Sequence, residues 1–234
     1  MSGDSAEFQL AAPLLGVPHP TTYPLYILLG KLATLLLPFG DLAWRVTLVS
    51  ALCAALAVAL FALMARRLVG LGGAVVAALA LGVTPGLWNA ATLAEVYALL
   101  AALLAALGWL LATAGEGRPT NWRLYAAAFV AGLGCTHHGL FVLTGLPLFV
   151  GCALFALPRS KHKGQTIQHE RVEIRVSRLM FRVSLLTALC FAAGLTPWLY
   201  PLVQFARYGP FDGVDYGLPR HYFWGAPQSW PAVL

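Results

Sequence analysis

Apolar residues come in long, nearly unbroken runs, and polar residues are confined to the joints between them. Long stretches of Leu, Ala and Val with few breaks predict membrane-spanning helices. The runs place spans at about 41–68, 71–90 (interrupted by Thr84-Pro85-Gly86), 93–113, 122–137, 139–157 and 183–206. Arg66-Arg67 ends the first, a short loop from Glu116 to Arg123 follows the third, and His137-His138-Gly139 divides the fourth from the fifth.

Two shorter elements precede these spans. Over residues 5–15, Phe8, Leu10, Ala11, Leu14 and Leu15 fall on one side of a helix, with Asp4, Glu7 and Gln9 near its polar start. Ser5 or Asp4 is placed to cap it, and Pro18 and Pro20 stop it. Pro24 then opens a second short helix, about 24–37, which Pro38-Phe39-Gly40 ends. It is short for a span and carries Lys31 at its middle, which suits a helix lying in or re-entering the interface. Together the pattern predicts an all-α, polytopic transmembrane helix bundle with short interfacial helices in the first external loop. Residues 1–40 form that loop, 41–206 the bundle and 207–234 a polar, aromatic tail.

Composition strengthens this reading. Of 234 residues, 59% are hydrophobic and 10% charged, and mean hydropathy is +0.75. A soluble domain carries roughly a quarter charged residues. Cys53, Cys135, Cys152 and Cys190 all lie inside apolar runs, which fits small-residue packing better than a disulfide framework. Gly82 and Gly86 match the small-xxx-small spacing of membrane helix contacts. No signal peptide opens the chain, which begins inside a polar motif and stops at Trp230-Pro231-Ala232-Val233-Leu234 without a terminating element. A fragment or a shortened gene model is therefore expected.

Charge adds an orientation. Arg66, Arg67, Arg118, Arg123, Arg159, Lys161, Lys163, Arg171, Arg175, Arg178 and Arg182 fall on one set of loops, leaving Lys31, Arg45, Arg207 and Arg220 for the other. The positive-inside rule makes the first set cytoplasmic, with 158–182 a solvated basic loop near lipid headgroups. Such placement argues against a nucleic-acid partner, which would need a basic exposed face. Asp4, Glu7, Asp41, Glu95, Asp212 and Asp215 then share the external side with His19, His137, His138 and His221.

Several of these residues are candidates for chemistry. Asp4 and Glu7, three apart, would share a helix face, so one carboxylate can act as base while the other holds a proton or anchors a hydrogen bond. Glu95 lies near the start of a span, where an ionisable side chain is costly and marks a site. Helix-start capping of Asp4 and Glu7, and a pairing of Glu95 with a residue such as Arg45, are the plain structural alternatives. His137 and His138 are adjacent and so point about 100° apart on a helix, a poor metal pair even with Cys135 close by. One of them binding phosphate or carboxylate while the other packs is the better reading. No phosphate loop, nucleophile elbow or zinc signature is present.

The opening motifs resemble a known family. Gly3-Asp4-Ser5-Ala6-Glu7-Phe8, Gly16-Val17-Pro18-His19-Pro20, Tyr23-Pro24-Leu25, Pro38-Phe39-Gly40 and Arg45-Val46 are similar to the start of the domain of unknown function 2723. Ala94-Glu95-Val96-Tyr97, Gly132-Leu133-Gly134 leading to His137-His138, and Trp224-Gly225 follow in the same order. That family includes a eukaryotic protein O-mannosyltransferase and is similar to the GT-C membrane glycosyltransferases. The family pattern differs in a helix before the Asp-Ser motif, in glycines where Ala6 and Thr22 stand, and in an acid where Ala226 stands.

The resemblance implies a GT-C-like transferase of a bacterial-type plasma membrane, taking a sugar such as mannose from a polyprenyl-phosphate donor. The acceptor hydroxyl would be on a protein or glycan at the extracytoplasmic side. It implies Asp4 as base with Glu7 in support. His19, Tyr23, Glu95, His137, His138, Arg220 and His221 then become candidates for substrate binding, no metal ligand is assigned, and no cofactor beyond the lipid-linked donor is firmly implied. A proton-coupled transporter using Glu95, the Pro85 break and the paired histidines, and a catalytically inactive membrane component, are the rival readings.

Overall fold

The computed structural model describes residues 3–114, 122–156 and 168–208. Every regular element among them is a helix, and the protein is an all-α membrane helix bundle. The order is α1 (Gly3–Leu14), α2 (Pro24–Leu36), α3 (Leu42–Gly82), α4 (Pro85–Thr92), α5 (Tyr97–Ala114), α6 (Trp122–His137), α7 (Gly139–Ala156), α8 (Gln168–Gly194), a 3₁₀ turn (Thr196–Trp198) and α9 (Leu199–Tyr208).

Local chemistry sets most boundaries. The Asp41 carboxylate caps α3 by accepting the Trp44 N–H at 2.7 Å. Gly70, at φ 76°, interrupts α3 where the sequence pattern divides two spans. Pro85 opens α4 after the break at Val83-Thr84. Three stretches among the described residues are long and apolar enough to cross a membrane: Leu42–Gly82, Tyr97–Ala114 and Phe181–Tyr208. Leu35, Leu36, Leu68, Val76 and Leu143 are each at least two-thirds exposed, an apolar coat suited to lipid and untenable in water.

α3 packs along α5, α5 against α6, and α6 against both α7 and α8; α1 and α2 pack on each other and on α3. The core runs from Phe8, Ala12, Tyr26 and Ile27 through Val46 and Ala57 to Leu103, Leu107, Ala128 and Phe141. α6 and α8 touch backbone to backbone: a Cβ on Gly132 would land on the Phe191 carbonyl, and one on Gly194 on the Phe129 carbonyl. This crossing, not the Gly82/Gly86 pair, is where small residues admit a neighbour, since nothing lies within 4 Å of a Cβ built on Gly86.

Several sequence expectations change. The basic segment read as a loop to 182 is helical from Gln168 onward; Arg171, Arg175, Arg178 and Arg182 recur at helical spacing, which a count of charge alone conceals. The span drawn at 183–206 is broken at Leu195–Trp198, where Pro197 lies in a 3₁₀ turn. The third span begins at Tyr97, so Glu95 belongs to the non-helical joint before it. Leu10 is exposed and Ala12 takes the buried position on α1. The 115–121 and 157–167 stretches and the tail from 209 lie outside the described residues.

The glycine crossing yields a first prediction. Gly132→Val should lower stability by about 1–3 kcal/mol through overpacking, whereas Gly86→Ala should change it little. Thermal unfolding of both variants in the same detergent measures the contrast.

Candidate functional site

The site is built where α1, α2 and α5 begin and α6 ends. α1 turns back through Gly16–Tyr23 into α2, and carbonyls at and just beyond its C-terminal end are taken up by side chains. Lys31 Nζ donates to Pro13 O at 2.6 Å, Gln204 Nε2 to Leu15 O at 2.6 Å, and the Tyr200 hydroxyl to Gly16 O. Helix-end carbonyls need such partners where water is scarce. Lys31, which looked like a mark of an interfacial helix, therefore also caps α1.

Glu7 reaches across this turn to His19. Its Oε1 accepts the His19 backbone N–H at 2.9 Å, and its Oε2 lies 2.6 Å from His19 Nδ1. Asp4 is exposed one helical turn earlier, on the face it was expected to share. One ligand atom each from Asp4, Glu7 and His19 lie within 4.8 Å of one another, close enough to share a divalent cation. Two carboxylates and an imidazole suit a hard or borderline metal. Among the described residues, this is where metal-ligating groups converge, rather than at Cys135 and the paired histidines.

The joint Ala94-Glu95-Val96 forms the second part. Three helices hold its backbone. Ser5 Oγ on α1 accepts the Ala94 N–H at 3.0 Å; Ser50 Oγ on α3 accepts the Glu95 N–H and donates to the Glu95 carbonyl, both at 3.1 Å. On α6, His137 Nε2 lies 2.8 Å from the Val96 carbonyl. Ser50 is itself 2.7 Å from the Tyr26 hydroxyl on α2. Ser5, expected as a helix cap, is thus a tether to this joint, and Glu95 is buried within it. Arg45, offered as a partner for Glu95, donates to the Phe39, Gly40 and Thr34 carbonyls.

Tyr23 joins the two parts. Thr22 and Tyr23 have φ of 59° and 42°, a left-handed conformation costly for side chains with a Cβ. The Tyr23 ring meets Phe8 at 5.4 Å, His19 at 5.3 Å, His138 at 5.7 Å and His137 at 6.3 Å between centroids. Tyr97 closes the wall against His138 at 5.5 Å. Burial, with Tyr97 and Asp4 close by, pushes the Tyr23 hydroxyl above its ordinary pKa, so it stays a hydrogen-bond donor. His138 Nδ1 accepts the Leu140 N–H at 3.0 Å, and His137 is wholly buried.

Asp4, Glu7, His19, Tyr23, His137 and His138 therefore come together, with Glu95 in the pinned joint beside them. Arg220 and His221 lie outside the described residues. Ser50 and Tyr26 carry no mark in the sequence, and Ser5 reads there only as a helix cap. A lone serine in an apolar helix usually bonds its own preceding turn, so Ser50 carries no distinguishing signal.

An apolar helical bundle that gathers carboxylates and imidazoles at the mouth of its core is a polytopic membrane protein with a polar site on a greasy scaffold. A family model described as the protein O-mannosyl-transferase TMEM260 N-terminal domain matches residues 4–163, and the chain belongs to this family. It is 34% identical over 205 residues to the mouse (Mus musculus) protein O-mannosyl-transferase TMEM260, across 85% of this chain. The chain spans about a quarter of that relative's length, the match covering 26% of it. No solved structure matches the chain.

Removing the tether tests the site's scaffold. Ser50→Ala should cost about 1–3 kcal/mol, because it strands the Glu95 amide and carbonyl. Tyr26→Phe removes one bond from the same hydroxyl and should cost about 1 kcal/mol. Denaturant unfolding in mild detergent would rank the two, and equal stability of Ser50→Ala and wild type would discount the tether.

Proposed function

We propose that the chain is the catalytic membrane portion of a GT-C-type glycosyltransferase. It moves a sugar, mannose by the name of its mouse relative, from a polyprenyl-phosphate donor to an acceptor hydroxyl on a protein or glycan. The cluster of Asp4, Glu7 and His19 beside the Tyr23 wall carries this reading, because it supplies a base next to donors and aromatic faces. Family membership supports the transferase class.

Sugar transfer from a lipid phosphate needs a base for the acceptor proton, room for oxocarbenium character at the sugar, and donors facing the departing phosphate. Asp4, exposed at the start of α1, is the base in this reading. Glu7 is committed to His19 through both oxygens, so it orients that imidazole against the Tyr23 ring. The Tyr23 hydroxyl supplies a donor for the phosphate. The arginine distribution supports an extracytoplasmic location for this cluster, with residues 1–40 as the external loop and 41–206 as the bundle that holds it.

Asp4→Asn in a full-length version should cut mannose transfer from a polyprenyl-phosphate donor by about 10²–10⁴-fold, the usual contribution of a general base. Glu7→Gln should fall less, since it retains hydrogen-bonding atoms for His19. Incorporation of labelled sugar into acceptor measures both, and transfer undiminished in Asp4→Asn would reject the assignment.

A further inference from the structure

Two buried polar atoms beside Tyr23 lack a hydrogen-bond partner among the described residues: His137 Nδ1 and Thr22 Oγ1. Their residues are 0% and 3% exposed. Native proteins rarely leave such atoms unmatched, and each one calls for an explanation. For His137 the chemistry is constrained further. The Val96 carbonyl can only accept, so the 2.8 Å contact assigns the proton to Nε2. A neutral imidazole with its proton on Nε2 offers a lone pair at Nδ1 and nothing else. Nδ1 is therefore a fixed acceptor, held in one tautomer by the pinned joint.

The position of this acceptor is informative. The His137 ring stands behind Tyr23, whose ring also meets His19. Tyr23 is half-buried and its ring packs against that of His137, so a guest reaching Nδ1 needs this ring to move aside. Thr22 Oγ1, next along the chain, can donate or accept. A guest rich in hydroxyls matches this pair; a phosphate, which at neutral pH chiefly accepts, does not match a bare lone pair.

We infer that His137 Nδ1 is the acceptor for one hydroxyl of the transferred sugar, making His137 a residue that selects which sugar the site takes. This rests on the donor reading above and deepens it, since it separates sugar recognition at His137 from proton removal at Asp4. His137→Gln is the discriminating variant: its amide keeps an N–H within reach of the Val96 carbonyl and removes the lone pair from the Nδ1 position.

The experiment measures binding of polyprenyl-phosphate mannose and its four monodeoxy analogues to the full-length protein in nanodiscs. In wild type, loss of one particular hydroxyl should weaken binding about tenfold, the scale of one buried hydrogen bond. In His137→Gln the parent donor should bind about tenfold more weakly, and that same deoxy analogue should bind no worse than the parent, the signature of a coupled pair. In parallel, the ¹⁵N resonance of Nδ1 in wild type should move on adding the mannosyl lipid and stay fixed on adding polyprenyl phosphate without sugar. This second arm stands even where the variant fails to fold, and a response to neither lipid would mean that water alone occupies the acceptor, overturning the inference. Equal penalties for every analogue in both proteins would overturn it as well. If wild type bound no mannosyl lipid at all, the donor reading itself would fail and the inference with it.

Discussion

Backbone that leaves a helix inside an apolar bundle must find partners for its amides and carbonyls, because no water is at hand to supply them. Ala94-Glu95-Val96 is such a departure, and its solution organises the protein. Hydroxyls from α1 and α3 and an imidazole from α6 each take one or two of its backbone groups. Each bond is worth about 0.5–1.5 kcal/mol net, but leaving a buried group unmatched costs more than the bond returns. The joint therefore fixes three helices relative to one another as firmly as they fix it.

From that constraint the site follows. α1 is held at its start by Ser5 on the joint and at its end by Lys31, Tyr200 and Gln204 on its carbonyls. With both ends anchored, the turn from Gly16 to Tyr23 is presented at a set place, and Glu7 closes on His19 across it. His137 serves the joint with one nitrogen and faces the Tyr23 side with its ring. On the proposed reading scaffold and recognition share a residue, and the orientation of the imidazole is decided by packing before any ligand arrives.

Much of the helical layout was legible because apolar runs and proline breaks are strong signals. The boundaries near Pro24, Asp41, Gly70 and Pro85 emerge from local capping and backbone rules that need no tertiary partner. The gathering of Asp4 with Glu7 was also readable, since three-residue spacing on a helix fixes it. The pinned joint was not. Ser5, Ser50 and Tyr26 act across 24 to 89 residues of sequence, and nothing local distinguishes a serine that tethers from one that packs. Glu95 drew attention as a charge in an apolar run, yet its setting came from the backbone on either side. The helix from Gln168 is hidden because its arginines resemble solvated loop charge unless their three- and four-residue spacing is weighed.

The geometry of the site depends most directly on the hydrogen bonds that hold the joint. Hydrogen exchange at the Ala94 and Glu95 amides, measured on the intact chain in nanodiscs, tests them without any assumption about substrate. Slow exchange, comparable with amides in the middle of α5, is the result expected of donors bound to Ser5 and Ser50. Rapid exchange, like that of an open turn in water, would contradict the arrangement and leave the cluster around Tyr23 without its frame.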